Sequence, residues 1–192
     1  REIEERLRHD SLHDPLTGLA NRRLFEDHLR RATLRAERDK HNGFAVLYLD
    51  LDHFKPINDQ HGHDIGDQLL SGVADRLLHC LRDGDVLARL GGDEFALLAF
   101  SMNFSSAADE LASRIRWALR RPFVIQQIEL QLSCSVGIAM VGNGCEDGRA
   151  LLSGADAAMY KAKRAGGDQT MWLNEPTDSD WGKPLLAEPR RH

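Results

Sequence analysis

The sequence predicts an α+β fold, a ferredoxin-like central sheet rich in antiparallel pairing and flanked by helices. Two observations predict it. Apolar runs of strand length alternate with helix-period segments in the order strand–helix–strand–strand–helix–strand, with an added helix at each end. The central two runs, Val86 to Leu90 and Phe95 to Phe100, are separated only by Gly91-Gly92-Asp93-Glu94, which reads as the turn of a β-hairpin. Glycine takes positive φ without strain and lets a ligand approach the backbone. The turn therefore presents two adjacent carboxylates at the exposed end of a buried hairpin.

Taken in order, Arg1 to His13 is charged, with Ile3, Leu7 and Leu12 along one side. It reads as the end of a connecting helix from an upstream module, too short to be stable alone. Pro15 and Gly18 break it. Asn21 is the expected N-cap of a helix through about Asp39, with Leu24, Phe25, Leu29, Ala32 and Ala36 facing inward. Its basic outer face, Arg22, Arg23, Arg30, Arg31, Arg35 and Arg38, reads mostly as solvated. Asn42-Gly43 turns the chain into a strand from Phe44 to Asp50, and an acidic loop follows. Ile65 to Leu81 is a helix burying Leu69, Leu70, Val73, Leu77 and Leu81. After the hairpin, Ser105 or Ser106 caps a helix through about Leu119, which Pro122 stops. Phe123 to Ile128 and Gln131 to Val141 are strand-like, and Arg149 to Arg164 is the last helix. From Gly166 the chain is polar, Pro-bearing and aperiodic, and little order is expected beyond about Leu173.

The length of 192 residues suits one domain with a real core. A net charge of −5 provides no basic footprint and argues against a nucleic-acid partner. It does not exclude a nucleotide, because a bound metal supplies positive charge locally. Cys80, Cys134 and Cys145 are widely spaced and read as reduced, structural thiols, which places the domain in the cytoplasm. No apolar run nears the roughly twenty residues that span a bilayer. The chain starts at Arg1 without Met and is expected to be a piece of something longer, so a membrane-anchored parent stays open.

The chemistry is expected where the first strand ends. Phe44 to Leu49 runs into Asp50 and Asp52, with Lys55 and Asn58 just beyond. Carboxylates at the end of one strand and in a neighbouring hairpin turn can share a divalent cation. Magnesium takes one or two carboxylates plus substrate phosphates, which suits metal-dependent phosphoryl or nucleotidyl transfer. A calcium loop fails, because counting from Asp50 puts Phe54 at the third acidic position and no glycine at the turn.

Gly91-Gly92-Asp93-Glu94-Phe95, preceded by Asp50-x-Asp52-x-Phe54-Lys55-x-x-Asn58-Asp59-x-x-Gly62-His63-x-x-Gly66-Asp67, resembles the GGDEF domain of diguanylate cyclases, and the likeness runs from about Asp14 to Gly166. The topology is also similar to the palm of nucleotidyl cyclases and polymerases. The resemblance implies a catalytic domain over residues 14–173, after a stalk-helix end at 1–13 and before a poorly ordered tail at 174–192. It implies condensation of two GTP into cyclic di-GMP with two Mg2+ (or Mn2+) ions per active site. By that resemblance Asp50, the Leu51 carbonyl, Asp93 and Glu94 bind metal. Asp93, Lys55 and Glu94 are catalytic. Asn58, His63, Asp67, Phe54, Gly91, Gly92 and Lys163 contact substrate. Arg82, Asp85 and Arg116 resemble an inhibitory product site. The product is twofold symmetric, so the active assembly is expected to be a homodimer, controlled by an upstream sensor module. One departure stands out: the family's Gly-Arg-Asn is here Gly166-Gly167-Asp168, which lacks the phosphate-binding arginine. A non-catalytic module binding GTP or cyclic di-GMP is the alternative, followed by a purely structural dimerisation module and a cyclase making another dinucleotide.

Overall fold

The computed structural model describes residues 11–38, 43–101, 105–141 and 147–174. Among the described residues, five helices and seven strands follow one another as α1 (Arg22–Arg38), β1 (Phe44–Asp52), α2 (Phe54–His61), α3 (His63–Leu78), β2 (Val86–Gly91), β3 (Glu94–Phe100), α4 (Ser105–Arg120), β4 (Phe123–Ile125), β5 (Ile128–Leu130), β6 (Ser133–Met140), α5 (Gly148–Arg164) and β7 (Thr170–Trp172). The main sheet has the order β2-β3-β1-β6-β7, and β4 and β5 form a separate hairpin. β1 lies antiparallel to both β3 and β6, so the strand carrying Asp50 occupies the middle of the sheet. The predicted α+β class and its ferredoxin-like order hold.

Strand period sorts the core into two layers. Leu47, Leu49 and Leu51 of β1 face the helices α3 and α4, packing with Leu69, Val73, Leu111 and Ile115. Phe44, Val46 and Tyr48 face α1 and α5, packing with Phe25, Leu29, Leu151 and Met159. Asp50 and Asp52 share the parity of Tyr48 and so emerge on the α5 side. That parity decides which helix can reach them.

Five expectations change. The acidic loop after β1 is helix α2, whose Pro56 sits in the first turn, where the amide hydrogens lack intrahelical partners anyway. His63 begins a second helix, because Gly62 at φ 87° ends the first. The strand expected over Phe123–Ile128 is cut by Gln126 and Gln127, which take φ of 48° and 68° and turn β4 back into β5. Residues 170–172, expected to be near the end of order, add β7 parallel to β6. Residues 11–13 form a turn and a bridge to Ala20 rather than helix. The rest of the expected connecting helix, Cys145 and the tail from 175 lie outside the described residues. Cys80 and Cys134 are buried and unpaired.

Helix α4 ends on a cation. Arg76 of α3 donates to the carbonyls of Ala118 (3.2 Å) in the last turn of α4 and of Arg121 and Pro122 (2.6 Å) just beyond it. Its guanidinium also lies 3.4 Å over the Phe123 ring. Substituting Arg76→Ala removes both contacts and is expected to lower unfolding stability by about 2 kcal/mol. Arg76→Lys should recover less than half of it, since an ammonium lacks the planar fork. Urea denaturation of the three proteins measures this, and equal midpoints would show that the cap carries no stability.

Candidate active site

The site begins with strand register. Asp50 pairs directly with Glu94 across β1 and β3, and with Ser135 across β1 and β6. One step along, the Leu51 amide donates to the Asp93 carbonyl at 3.2 Å. Asp50, Asp93 and Glu94, expected from sequence to meet, therefore lie at one end of the sheet. The hairpin closes at the Gly91–Glu94 pair, leaving Gly92 and Asp93 as its two-residue loop. Gly91 at φ 147° and Gly92 at φ 53° occupy backbone regions that side-chain-bearing residues disfavour.

Asp50 is 8% exposed, and the Lys163 ammonium from the last turn of α5 is ion-paired with it. Burial pushes the Asp50 carboxyl above its usual value; the Lys163 hydrogen bond opposes this, and the charges of Asp93 and Glu94 add to it. For Lys163, burial acts downward, but the bond to Asp50 and the field of Asp50, Asp93 and Asp52 outweigh it and raise its pKa. Burial and the neighbouring carboxylates make this a place where a divalent cation would be stabilising.

Asp52, in contrast, is already satisfied. It accepts 2.8 Å bonds from the Ser133 and Ser135 hydroxyls and from the Asp168 amide. This ties the turn after α5 to the end of β1. Gly167 packs on the same carboxylate: a Cβ there would lie 3.1 Å from it.

Glu94 accepts a 3.0 Å bond from the Tyr48 hydroxyl, and Arg22 at the start of α1 stands 4.0 Å from the same oxygen. The Tyr48 pKa is pushed up to about 12, first by burial, against a lowering contribution from Arg22. The phenol stays a donor. Asn21 caps α1 through a 3.1 Å bond from the Leu24 amide, which sets where Arg22 starts.

Sequence reasoning missed Arg89. Its guanidinium donates to the Gly92 carbonyl (3.0 and 2.7 Å) and to both Asp14 oxygens (3.1 and 3.2 Å). Asp14 also accepts from the Thr17 amide and hydroxyl. The lead-in segment and the Gly91–Glu94 turn are thereby joined. The signal available was an arginine two residues before the glycines.

On the other flank, Phe54 is buried, Lys55 is exposed on the first turn of α2, and His63 and Asp67 are exposed on α3. Asn58 on α2 lies against Gly66, where a Cβ would sit 1.7 Å from its Oδ1. That oxygen is buried with no hydrogen-bond partner. A buried acceptor left unpaired costs free energy, and an incoming N–H donor removes the cost. Asp67 lines a shallow groove of roughly 600 Å³ with Leu16, Ser71 and Phe123.

The residues matched to an inhibitory site do not all meet. Asp85 accepts from the Arg82 amide (3.1 Å) and the Phe100 amide (3.0 Å), at the far end of the hairpin from Asp93. Arg116 is instead bound to the main chain and carboxylate of Asp168, beside Asp52. Arg114 is the α4 arginine that reaches this corner, donating to the Cys80 carbonyl at 3.2 and 2.8 Å. Two residues along a helix rotate a side chain by about 200°, so Arg114 and Arg116 face opposite ways. Among the described residues, no three His, Cys, Asp or Glu side chains could hold a metal by themselves. Two carboxylates with substrate phosphates suffice for magnesium, and the donor set here fits that description.

Comparison with known proteins identifies the family. The family profile described as "Diguanylate cyclase, GGDEF domain" matches residues 11–169, and the chain belongs to that family. It is 40% identical over 173 residues to the diguanylate cyclase TpbB of Pseudomonas aeruginosa, covering 88% of this chain and 40% of that protein. It is 47% identical over 169 residues to the cyclic di-GMP phosphodiesterase PdeR of Escherichia coli, covering 88% of this chain and 25% of that protein. The chain thus spans less than half of either relative. The crystal structure of the TpbB GGDEF domain superposes with a TM-score of 0.80 at 37% identity, over 83% of this chain and 99% of that one. The coiled coil and GGDEF domain of DgcB from Caulobacter crescentus, in complex with c-di-GMP, gives 0.82 at 32% identity, over 90% and 91%. No described helix is long and apolar enough to cross a membrane.

The Arg89 clamp has a pH signature. Burial raises the Asp14 pKa, but the Thr17 bonds and Arg89 outweigh it and hold it below the usual 3.8. A depressed carboxylate pKa contributes stability that is complete above the unfolded value and lost as pH falls through the folded one. Asp14→Asn should therefore cost about 1–2 kcal/mol at pH 7, solvent screening included, and progressively less below pH ~4. Chemical denaturation of both proteins across pH 2–7 reads the difference; a pH-independent gap would remove the ionic part.

Proposed function

We propose that the chain is a diguanylate cyclase, condensing two GTP into cyclic di-GMP and two pyrophosphates. The observation that carries this is the register-paired cluster of Asp50, Asp93 and Glu94, one α-helix away from the unpartnered Asn58 oxygen. In each half-reaction the 3′-oxygen of one GTP bonds to the α-phosphorus of the other. The α–β bridging P–O bond breaks, and pyrophosphate leaves with the electron pair. Asp93 accepts the hydroxyl proton. Two Mg2+ (or Mn2+) ions, held by Asp50, the Leu51 carbonyl, Asp93 and Glu94, would lower the hydroxyl pKa and offset charge on the triphosphate.

The remaining residues bind and orient. Lys55 and Lys163 place positive charge beside the phosphates, Lys163 exchanging its carboxylate partner for substrate. Asn58 and Asp67 accept the guanine N–H donors, with His63 near them on α3. Phe54 anchors α2 in the core, and Gly91 and Gly92 give the phosphates access to the backbone. One subunit holds one GTP, so two chains meet across their hairpins, and an upstream module governs that encounter. Arg82 and Asp85, with Arg114 rather than Arg116 beside them, would bind product and inhibit. The domain works on the cytoplasmic side, where GTP is available.

A second reading has its own support: PdeR, named a phosphodiesterase, is 47% identical to this chain. On that reading the domain binds GTP or cyclic di-GMP and regulates a neighbour. Incubation of the concentrated chain with GTP and Mg2+, followed by product identification, separates the two. Cyclic di-GMP is expected, with specific activity falling on dilution and at least about 100-fold lower for Asp93→Ala. Nucleotide binding without product would establish the regulatory reading instead.

A further inference from the structure

Tyr48 is buried in the middle of β1, yet its hydroxyl leaves the core to meet a carboxylate of the catalytic turn. Directly opposite Tyr48 stand Ala96 of β3 and Gly137 of β6, the glycine lying against the backbone of α5. Glu94 is two residues from Ala96 on the same face, the diagonal position that an aromatic side chain can span. Asp50, two residues along β1 on that face, is directly opposite Glu94. Glu94 is thus held from one side by a phenol and faces Asp50 on the other. An aliphatic residue at position 48 would pack as well but could not donate.

We infer that Tyr48 is a positioning residue for the divalent-cation site: its hydroxyl pins one Glu94 oxygen and so holds that carboxylate in line with Asp50. This rests on the reading of Glu94 as a metal ligand. It adds a residue to that site that the acidic motifs do not include. Arg22, 4.0 Å from the same oxygen, supports the same orientation by charge. Outer partners that orient a metal-binding carboxylate are worth about ten-fold or more in metal affinity.

The test reads Mn2+ binding by electron paramagnetic resonance to the chain loaded with a non-hydrolysable GTP analogue, whose phosphates complete the donor set, so it does not depend on turnover. Tyr48→Phe keeps the ring and removes only the donor; it is expected to raise the Mn2+ dissociation constant about ten-fold while leaving the metal-free melting curve close to wild type. In a Glu94→Gln background the same change should have no further effect. Equal Mn2+ affinity of wild type and Tyr48→Phe overturns the inference, as does a full ten-fold loss on top of Glu94→Gln. Should Tyr48→Phe fail to fold, Arg22→Gln is the second variant, with a smaller loss in the same direction expected and no loss contradicting it. A wild-type chain that binds Mn2+ with this dependence but makes no cyclic di-GMP would sink the cyclase reading and leave the positioning role intact.

Discussion

Everything at the active end of this domain depends on the antiparallel register of β1 with β3. Because Asp50 is paired with Glu94, and the Leu51 amide with the Asp93 carbonyl, acids more than forty residues apart in sequence become cross-strand neighbours. Strand period is two, so a slip of one residue would send Asp50 to the opposite face and away from Lys163. The register is secured along the rest of β1, by Phe44, Val46, Leu47 and Leu49 packing into two separate core layers. The core determines where the chemistry sits.

The arrangement has a cost. Like charges directly opposite one another destabilise a sheet by up to roughly 1 kcal/mol, and burial of Asp50 adds to it. Cations placed at the edge of the cluster reduce this: Lys163 on Asp50 and Arg22 near Glu94. Two further clamps hold the frame. Asp52 gathers Ser133, Ser135 and the Asp168 amide, while Arg89 joins Asp14 to the Gly92 carbonyl. The acids that would bind a ligand keep open capacity, and those that support the frame are saturated. That contrast separates Asp50 from Asp52, which look alike in the sequence.

Much of the fold was legible because it is written in local signals. Val86–Leu90 and Phe95–Phe100 around two glycines could scarcely be anything but a hairpin, and Asn21 marked the start of α1. Helix α2 was hidden because Pro56 and the polar residues after it imitate a loop, and the first turn of a helix tolerates both. The β4–β5 turn was hidden because two glutamines take positive φ without a glycine to announce it. At the site, the meeting of Asp50 with Asp93 and Glu94 followed from where the apolar runs end, whereas Asn58 was singled out by the family resemblance. Arg89 and Tyr48 could not be read in advance, since their meaning comes from contacts with Asp14, Gly92 and Glu94 that only the folded sheet creates. Arg116 is a related case: distance along a helix does not say which way a side chain faces, and Arg116 meets Asp168 while Arg114 meets the Cys80 carbonyl.

The central claim is that Asp50 and Asp93 serve one cation site. Diffraction at the manganese edge, from crystals of the chain grown with Mn2+ and a non-hydrolysable GTP analogue, locates that ion directly. The account predicts an anomalous peak in direct contact with both side chains, with Lys163 turned from Asp50 toward the phosphates. Manganese held by the nucleotide alone, with Lys163 still on Asp50, would contradict it.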